Sequence, residues 1–142
     1  MIAYLTLDSS VIVAALKEQE ERHGECKNLL EKVKDGKFIA LEPYSVLVEI
    51  VAAIKRRTGI KDLARRVRRN LVDIDTIKFL ELTFVRAEQA AEIAEEVGVR
   101  GMDAIVIQVA KEFGVPLLSL DLEIMSKAKS VVKIELVENL AK

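Results

Sequence analysis

Tryptophan is absent from this chain of 142 residues, and cysteine and histidine occur once each, as Cys26 and His23. A single cysteine excludes an internal disulfide and any zinc site built on thiolates. Its neighbours Glu25 and Lys27 put Cys26 on a helix surface, as a half-buried thiol rather than a nucleophile. A single histidine excludes catalysis by a histidine pair, and His23, between Arg22 and Gly24, reads as an exposed side chain. Two Tyr and four Phe leave little material for a base-stacking platform. No apolar run reaches the ~20 residues that a membrane-spanning helix needs. The N-terminal "MIAYLTLDSS" has no basic segment ahead of a long apolar one, so it is not read as a secretory signal. The expectation is a cytoplasmic protein with no membrane segment. Neither a Gly-rich dinucleotide turn nor a P-loop occurs, and no serine triad has its partners.

What is present describes a globular domain. Hydrophobic residues make up 51% of the chain and charged ones 32%, which suits one domain over 1–142 with a single core. A net charge of −1 gives no global footprint for nucleic acid. The charge is unevenly spread, however. Lys55, Arg56, Arg57, Lys61, Arg65, Arg66, Arg68 and Arg69 face only one acid, Asp62, within the same stretch. Abundant Glu, Lys and Arg with scarce Asn, Gln and Cys match the composition of heat-adapted, thermophile proteins.

Along the chain, apolar strand-like runs alternate with helical patterns. "IAYLTLD" reads as a buried strand and "SSVIVAALK" as a helix with serines at its start. "EQEERHGECKNLLEKVKDG" reads as a second helix and "KFIALEP" as a second strand. Pro43 suits the first turn of a long apolar helix that ends at Thr58-Gly59. "IKDLARRVRRN" is a basic amphipathic helix, and "KFLELT" a short strand. Helices over "VRAEQAAEIAEEVG" and "MDAIVIQVAKEFG" follow, then the strand "VPLLSLD", the helix "LEIMSKAK" and a last strand, "VVKIEL". The alternation implies an α/β domain with a largely parallel sheet. Ligands of such sheets bind outside the carboxyl ends of the strands, where Asp8 and Asp121 both fall.

Four carboxylates stand out. Asp8 and Asp121 each follow an apolar strand, and taken singly each has the bland reading of a helix cap. Asp103 falls near a helix N-terminus, where the macrodipole favours a negative charge. Glu49 has no such explanation, because "SVLVEIVAAI" surrounds it with apolar residues. A helix that is hydrophobic all round is normally buried, and a lone buried carboxylate costs several kcal/mol. Two like charges at ~4 Å repel by about 4 kcal/mol at an effective dielectric near 20. Such a cluster persists if protons are shared, water is abundant, or a divalent cation neutralises it. Oxygen-only ligation suits Mg²⁺ or Mn²⁺, and acidic pockets of this kind act on phosphates. Glu49 is then tolerated because it faces a metal.

The stretches "LTLDSSVIVAAL", "YSVLVEIVAAI" and "VRGMDAIVIQVAKEFGVPLLSLD" together resemble the PIN-domain ribonucleases, in particular the small VapC-type toxins. Order, spacing and total length agree over essentially the whole chain. The resemblance implies a three-layer α/β/α domain whose central, largely parallel sheet gathers Asp8, Glu49, Asp103 and Asp121 as catalytic residues holding Mg²⁺ or Mn²⁺. It implies an endoribonuclease in which the metal activates water for in-line attack on RNA. Ser10 and Ser119 match the small polar positions that support the site, with Ser119 where the family often has threonine. Glu123 is a possible further acid, though a solvated helix residue is the simpler reading. The resemblance also implies a homodimer restrained by a cognate antitoxin. Arg56, Arg57, Arg65, Arg66, Arg68 and Arg69 are candidates for holding the RNA backbone, weighed equally against a solvated surface. The alternative is a catalytically silent PIN-like module that binds RNA or protein. A haloacid-dehalogenase-like phosphatase is disfavoured, since Ser10 stands where its second aspartate belongs.

Overall fold

The apolar run at the N-terminus forms β1 (Ala3–Leu7), buried from Leu5 onward. The computed structural model describes residues 3–142, so Ile2, expected to open this strand, lies outside the described residues. After β1 come α1 (Ser9–Leu16), α2 (His23–Lys34), β2 (Phe38–Pro43), α3 (Tyr44–Thr58), α4 (Lys61–Val72) and β3 (Ile77–Leu80). Then follow α5 (Phe84–Val97), α6 (Gly101–Phe113), β4 (Leu117–Leu118), α7 (Leu122–Ala128) and α8 (Val137–Leu140). The sheet is wholly parallel, in the order β3-β2-β1-β4. With helices flanking it, this is the expected three-layer α/β/α fold.

The chain builds outward from β1 through β2 to β3, then returns to place β4 on the other side of β1. The reversal creates a switch point between β1 and β4, where α/β sheets open a crevice for ligands. Leu5, Leu7, Leu117 and Leu118 are fully buried, as expected for parallel strands covered on both faces. In α6 an unbroken buried run, Val106–Ala110, drives the helix into the core. Gly59, Gly98 and Gly114 end α3, α5 and α6 with φ of 72°, 72° and 63°, the left-handed conformation that terminates helices.

Three expectations differ from the structure. The second helix begins at His23, not in "EQEER", because that charged segment offers no apolar side chain to pack a helical turn. The last strand, "VVKIEL", reduces to one bridge between Ile134 and Leu117. Leu117 uses its amide on Lys133 O at 2.9 Å and its carbonyl on Glu135 N at 3.0 Å, and β4 is too short to pair further. The chain then turns into the unforeseen α8, anchored by buried Val137. Among the described residues no helix is long and apolar enough to cross a membrane.

Candidate active site

Asp8 stands at the N-cap position of α1 but makes no capping bond. Its backbone amide donates to Leu118 O at 2.8 Å, which fastens it to β4. Its Oδ2 accepts the hydroxyls of Ser10 at 2.8 Å and Ser119 at 2.9 Å. Each hydroxyl in turn accepts an amide beyond β4: Leu120 N at 3.1 Å for Ser10, and Asp121 N at 3.0 Å for Ser119. Asp8 is therefore aimed by both serines, and its carboxylate caps none of the backbone amides of α1. Asp121 does cap a helix, its Oδ1 accepting Glu123 N at 2.9 Å and Ile124 N at 3.2 Å.

The puzzle of Glu49 resolves in the packing of α3. Val46, Ile50, Ala53 and Ile54 are buried while Val48 is 63% exposed, so the helix is one-sided after all. Glu49 lies half-buried at the border between the two sides. Burial pushes its carboxyl above the usual range and the charges of Asp8 and Asp103 add to this, against a Ser9 hydrogen bond and the Arg100 charge. Asp103, in the first turn of α6, is also raised, first by burial and then by Asp8, with Asp121 and Glu123 adding smaller pushes. Its nearest cation is Arg100, Nε to Oδ2 at 3.7 Å. Glu49 and Asp103 thus both feel the charge of Asp8, and Asp103 those of Asp121 and Glu123 as well, so negative charge is concentrated at these carboxyls.

Two larger clefts and one small one meet there. A cleft of about 630 Å³ has Glu49, Arg100 and Asp103 at one end and a wall of Leu82, Ala87, Ala91 and Met102. Another, of about 600 Å³, runs from Ser9, Ser10, Glu49 and Asp121 to Arg56 and Arg57. The small one joins Asp103, Asp121 and Glu123. Arg57 is paired with Glu20 from the loop before α2. The exposed Arg65, Arg66, Arg68 and Arg69 on α4 line none of these clefts, and Arg65 pairs with Asp62 at 3.5 Å. Among the described residues no three of the acids form a ready-made ligand set. Donor type and charge nevertheless fit a hard divalent cation, which would draw such carboxylates together against their mutual repulsion.

A fifth carboxyl escaped the sequence reading. Glu42, at the end of β2, is fully buried. Its Oε2 accepts the amide of Leu7 at 2.7 Å, and its Oε1 has no partner. Burial pushes its pKa well above the usual carboxylate range, and the charge of Asp8 adds to the shift. The signal was the same as for Glu49, an acid inside an apolar run, here "KFIALEP". His23 and Cys26 also differ from expectation. His23 Nδ1 lies 2.7 Å from Ala14 O, tying α2 to α1. Cys26 is fully buried, not half-buried, and its thiol is pushed up to about 11 by that burial.

A profile of the PIN domain matches residues 5–130, the span that carries all of this geometry. The chain belongs to the PIN-domain family. No curated protein sequence matches it. Among solved structures this PIN domain is similar to the Mycobacterium tuberculosis VapC20 toxin, described as cleaving the sarcin-ricin loop, with a TM-score of 0.75 and 19% identity over 92% of this chain and 98% of that one. A Pyrobaculum aerophilum protein gives a TM-score of 0.67 and 21% identity over 99% and 96%. A Klebsiella pneumoniae toxin-antitoxin complex gives 0.61 and 15% over 82% and 86%. At these identities the likeness is one of fold.

Proposed function

We propose that this PIN domain is a divalent-metal-dependent endoribonuclease of the VapC type, the toxin of a toxin–antitoxin pair. The observation that carries the reading is the placement of Asp8, held by the hydroxyls of Ser10 and Ser119 close enough to Glu49 and Asp103 for its charge to raise both. A structural helix cap would have no use for that arrangement. Asp8, Glu49, Asp103 and Asp121 would hold Mg²⁺ or Mn²⁺, with Glu123 at the rim. When bound, such an ion supplies activation of water and neutralises charge at a phosphodiester. Ser10 and Ser119 orient Asp8 through hydrogen bonds to a charged acceptor, which are stronger than neutral ones. Arg56 and Arg57, at the far end of the same cleft, would hold the phosphates of an RNA strand on its way to the acids.

Partners follow from the same reading. The Klebsiella neighbour is a toxin-antitoxin complex, and a cognate antitoxin is proposed for this chain by that likeness. Leu82, Phe84 and Val85 are consecutive or nearly so and all more than half exposed, and Leu82 borders the apolar cleft. Such a patch suits coverage by a partner, either the antitoxin or a second copy in a homodimer. The second reading is a silent RNA- or protein-binding module of the same fold, for which the apolar cleft beside Leu82 would be the contact surface.

The deciding experiment is cleavage of structured and single-stranded RNAs with Mg²⁺ or Mn²⁺, beside an EDTA control and Asp103→Asn. The nuclease reading expects cutting that needs metal and vanishes in the mutant. No Mn²⁺ binding by calorimetry, together with no cutting, would leave the silent module.

A further inference from the structure

The ladder between β1 and β2 stops earlier than the strands require. β1 pairs β2 at Ala3↔Phe38, Tyr4↔Ile39 and Leu5↔Ala40, and no further. β2 itself stays extended, since its pairing with β3 continues through Glu42↔Phe79 to Pro43↔Leu80. In this register the amide of Leu7 would next reach the carbonyl of Leu41, as parallel ladders are spaced evenly. Two side chains intercept that bond. The hydroxyl of Thr6 donates to Leu41 O at 2.8 Å, and Glu42 Oε2 takes the Leu7 amide at 2.7 Å. Both residues are fully buried, so polar side chains stand where the next ladder bond would be.

The interception falls one residue before Asp8. On its other side Asp8 follows β4, through its amide to Leu118 O. Beyond Glu42, β2 runs through Pro43 directly into α3, which carries Glu49. The place where β1 and β2 part therefore lies directly before both Asp8 and the helix that carries Glu49. A buried carboxyl with one oxygen unpartnered is costly, and a β-branched apolar residue would fill a strand position without that cost. Such a group beside a functional site is better explained by what it positions than by stability.

We infer that Glu42 is a positioning residue of the acid site: with Thr6 it wedges β1 from β2 and so sets the opening across which Asp8 faces Glu49. The inference rests on the metal-site reading above for its consequence, not for its geometry. Without the carboxyl, the Leu7 amide would be free to join Leu41 O and the ladder would close by one step.

The test compares Glu42→Gln, which keeps an oxygen for the Leu7 amide, with Glu42→Val, which does not. Mn²⁺ affinity is measured by calorimetry, with thermal melts in EDTA to establish folding. Glu42→Gln should bind within about threefold of wild type, whereas Glu42→Val should melt as a folded protein yet bind about ten- to a hundredfold more weakly, the range for residues that orient ligands. Equal affinity of Glu42→Val and wild type would overturn the wedge, as would a loss in Glu42→Gln as large as in Glu42→Val. If Glu42→Val does not fold, Thr6→Val decides, because it frees Leu41 O and should weaken Mn²⁺ in the same direction. If wild type and Asp8→Asn alike ignore Mn²⁺, the metal reading has failed and the wedge is judged by amide NMR of the metal-free protein. Shifts in Glu42→Val that reach Asp8 and Glu49 support it, and shifts confined to β2 overturn it.

Discussion

Ser119 donates its hydroxyl to Asp8 Oδ2 at 2.9 Å while accepting the amide of Asp121 at 3.0 Å. One oxygen thus ties the acid after β1 to the acid after β4, across the switch point of the sheet. Ser119→Ala would leave the Asp121 amide and one Asp8 lone pair without this partner. The expected cost is about 1–3 kcal/mol in a urea melt, with weaker Mn²⁺ binding; Ser119→Thr should restore both. A threonine variant no better than alanine would remove the hydroxyl from the account.

Mn²⁺ should raise the melting temperature of the wild type, because an ion that binds only the folded state at a hundred times its Kd adds about 2.7 kcal/mol. Asp8→Asn should lose most of that gain. An undiminished gain would mean that the ion sits elsewhere.

Glu49→Gln should lose RNA cleavage and keep the fold. Its carboxyl is half-buried and is repelled by Asp8 and Asp103, so at neutral pH the metal-free variant should be at least as stable as wild type. A variant that unfolds would make Glu49 a structural residue.

Stability should also depend on pH in a definite direction. Glu42, Glu49 and Asp103 have folded-state pKa values raised above their ordinary 4.5, 4.5 and 3.8. Folding therefore takes up protons, and this stabilisation, complete below the ordinary values, is lost as pH rises through the raised ones. Glu112 and Glu135 are lowered, first by the side-chain hydrogen bonds of Arg86 and Asn139 respectively. Their contribution is present above the ordinary value and lost as pH falls through the lowered one. In EDTA the urea midpoint should thus decline as pH rises above the ordinary carboxylate range, and Glu42→Gln should flatten that decline. An equal slope in wild type and variant would mean that Glu42 does not titrate in this window.

Arg56→Ala with Arg57→Ala should weaken RNA binding and flatten its dependence on log salt by about 1.4, at ~0.7 per phosphate contact on a single strand. Replacing Arg65, Arg66, Arg68 and Arg69 together should have a smaller effect per arginine, since these side chains line none of the clefts at the acids. The reverse ranking would move the RNA path onto α4.

Asp8, Glu49, Asp103 and Asp121 stand out in the sequence as candidates because each is a carboxylate on an apolar element that has to enter the core, and the strand–helix alternation places strand ends together. Ser10 and Ser119 entered only through the resemblance to the PIN-domain ribonucleases. Glu42 carries the same kind of signal but was passed over, because "LEP" reads as the ordinary polar end of a strand unless the strand is known to be covered on both faces. The α4 arginines could be placed near the acids only by assuming the turn at Thr58-Gly59, whose direction local sequence does not state. The strand expected over "VVKIEL" failed for a related reason: pairing needs an edge long enough to receive it, and β4 offers two residues.

By itself the sequence determined the alternation of strands and helices and the acids placed near their ends, because these follow from residue type and periodicity along the chain. Only the tertiary structure decided that Asp8 is aimed by one serine from α1 and one just past β4, that Arg56 and Arg57 reach a cleft at the acids while the α4 arginines do not, and that Glu42 takes the Leu7 amide. Burial and hydrogen-bond partners separated by 35 to 111 positions are set by packing, and no local pattern encodes them.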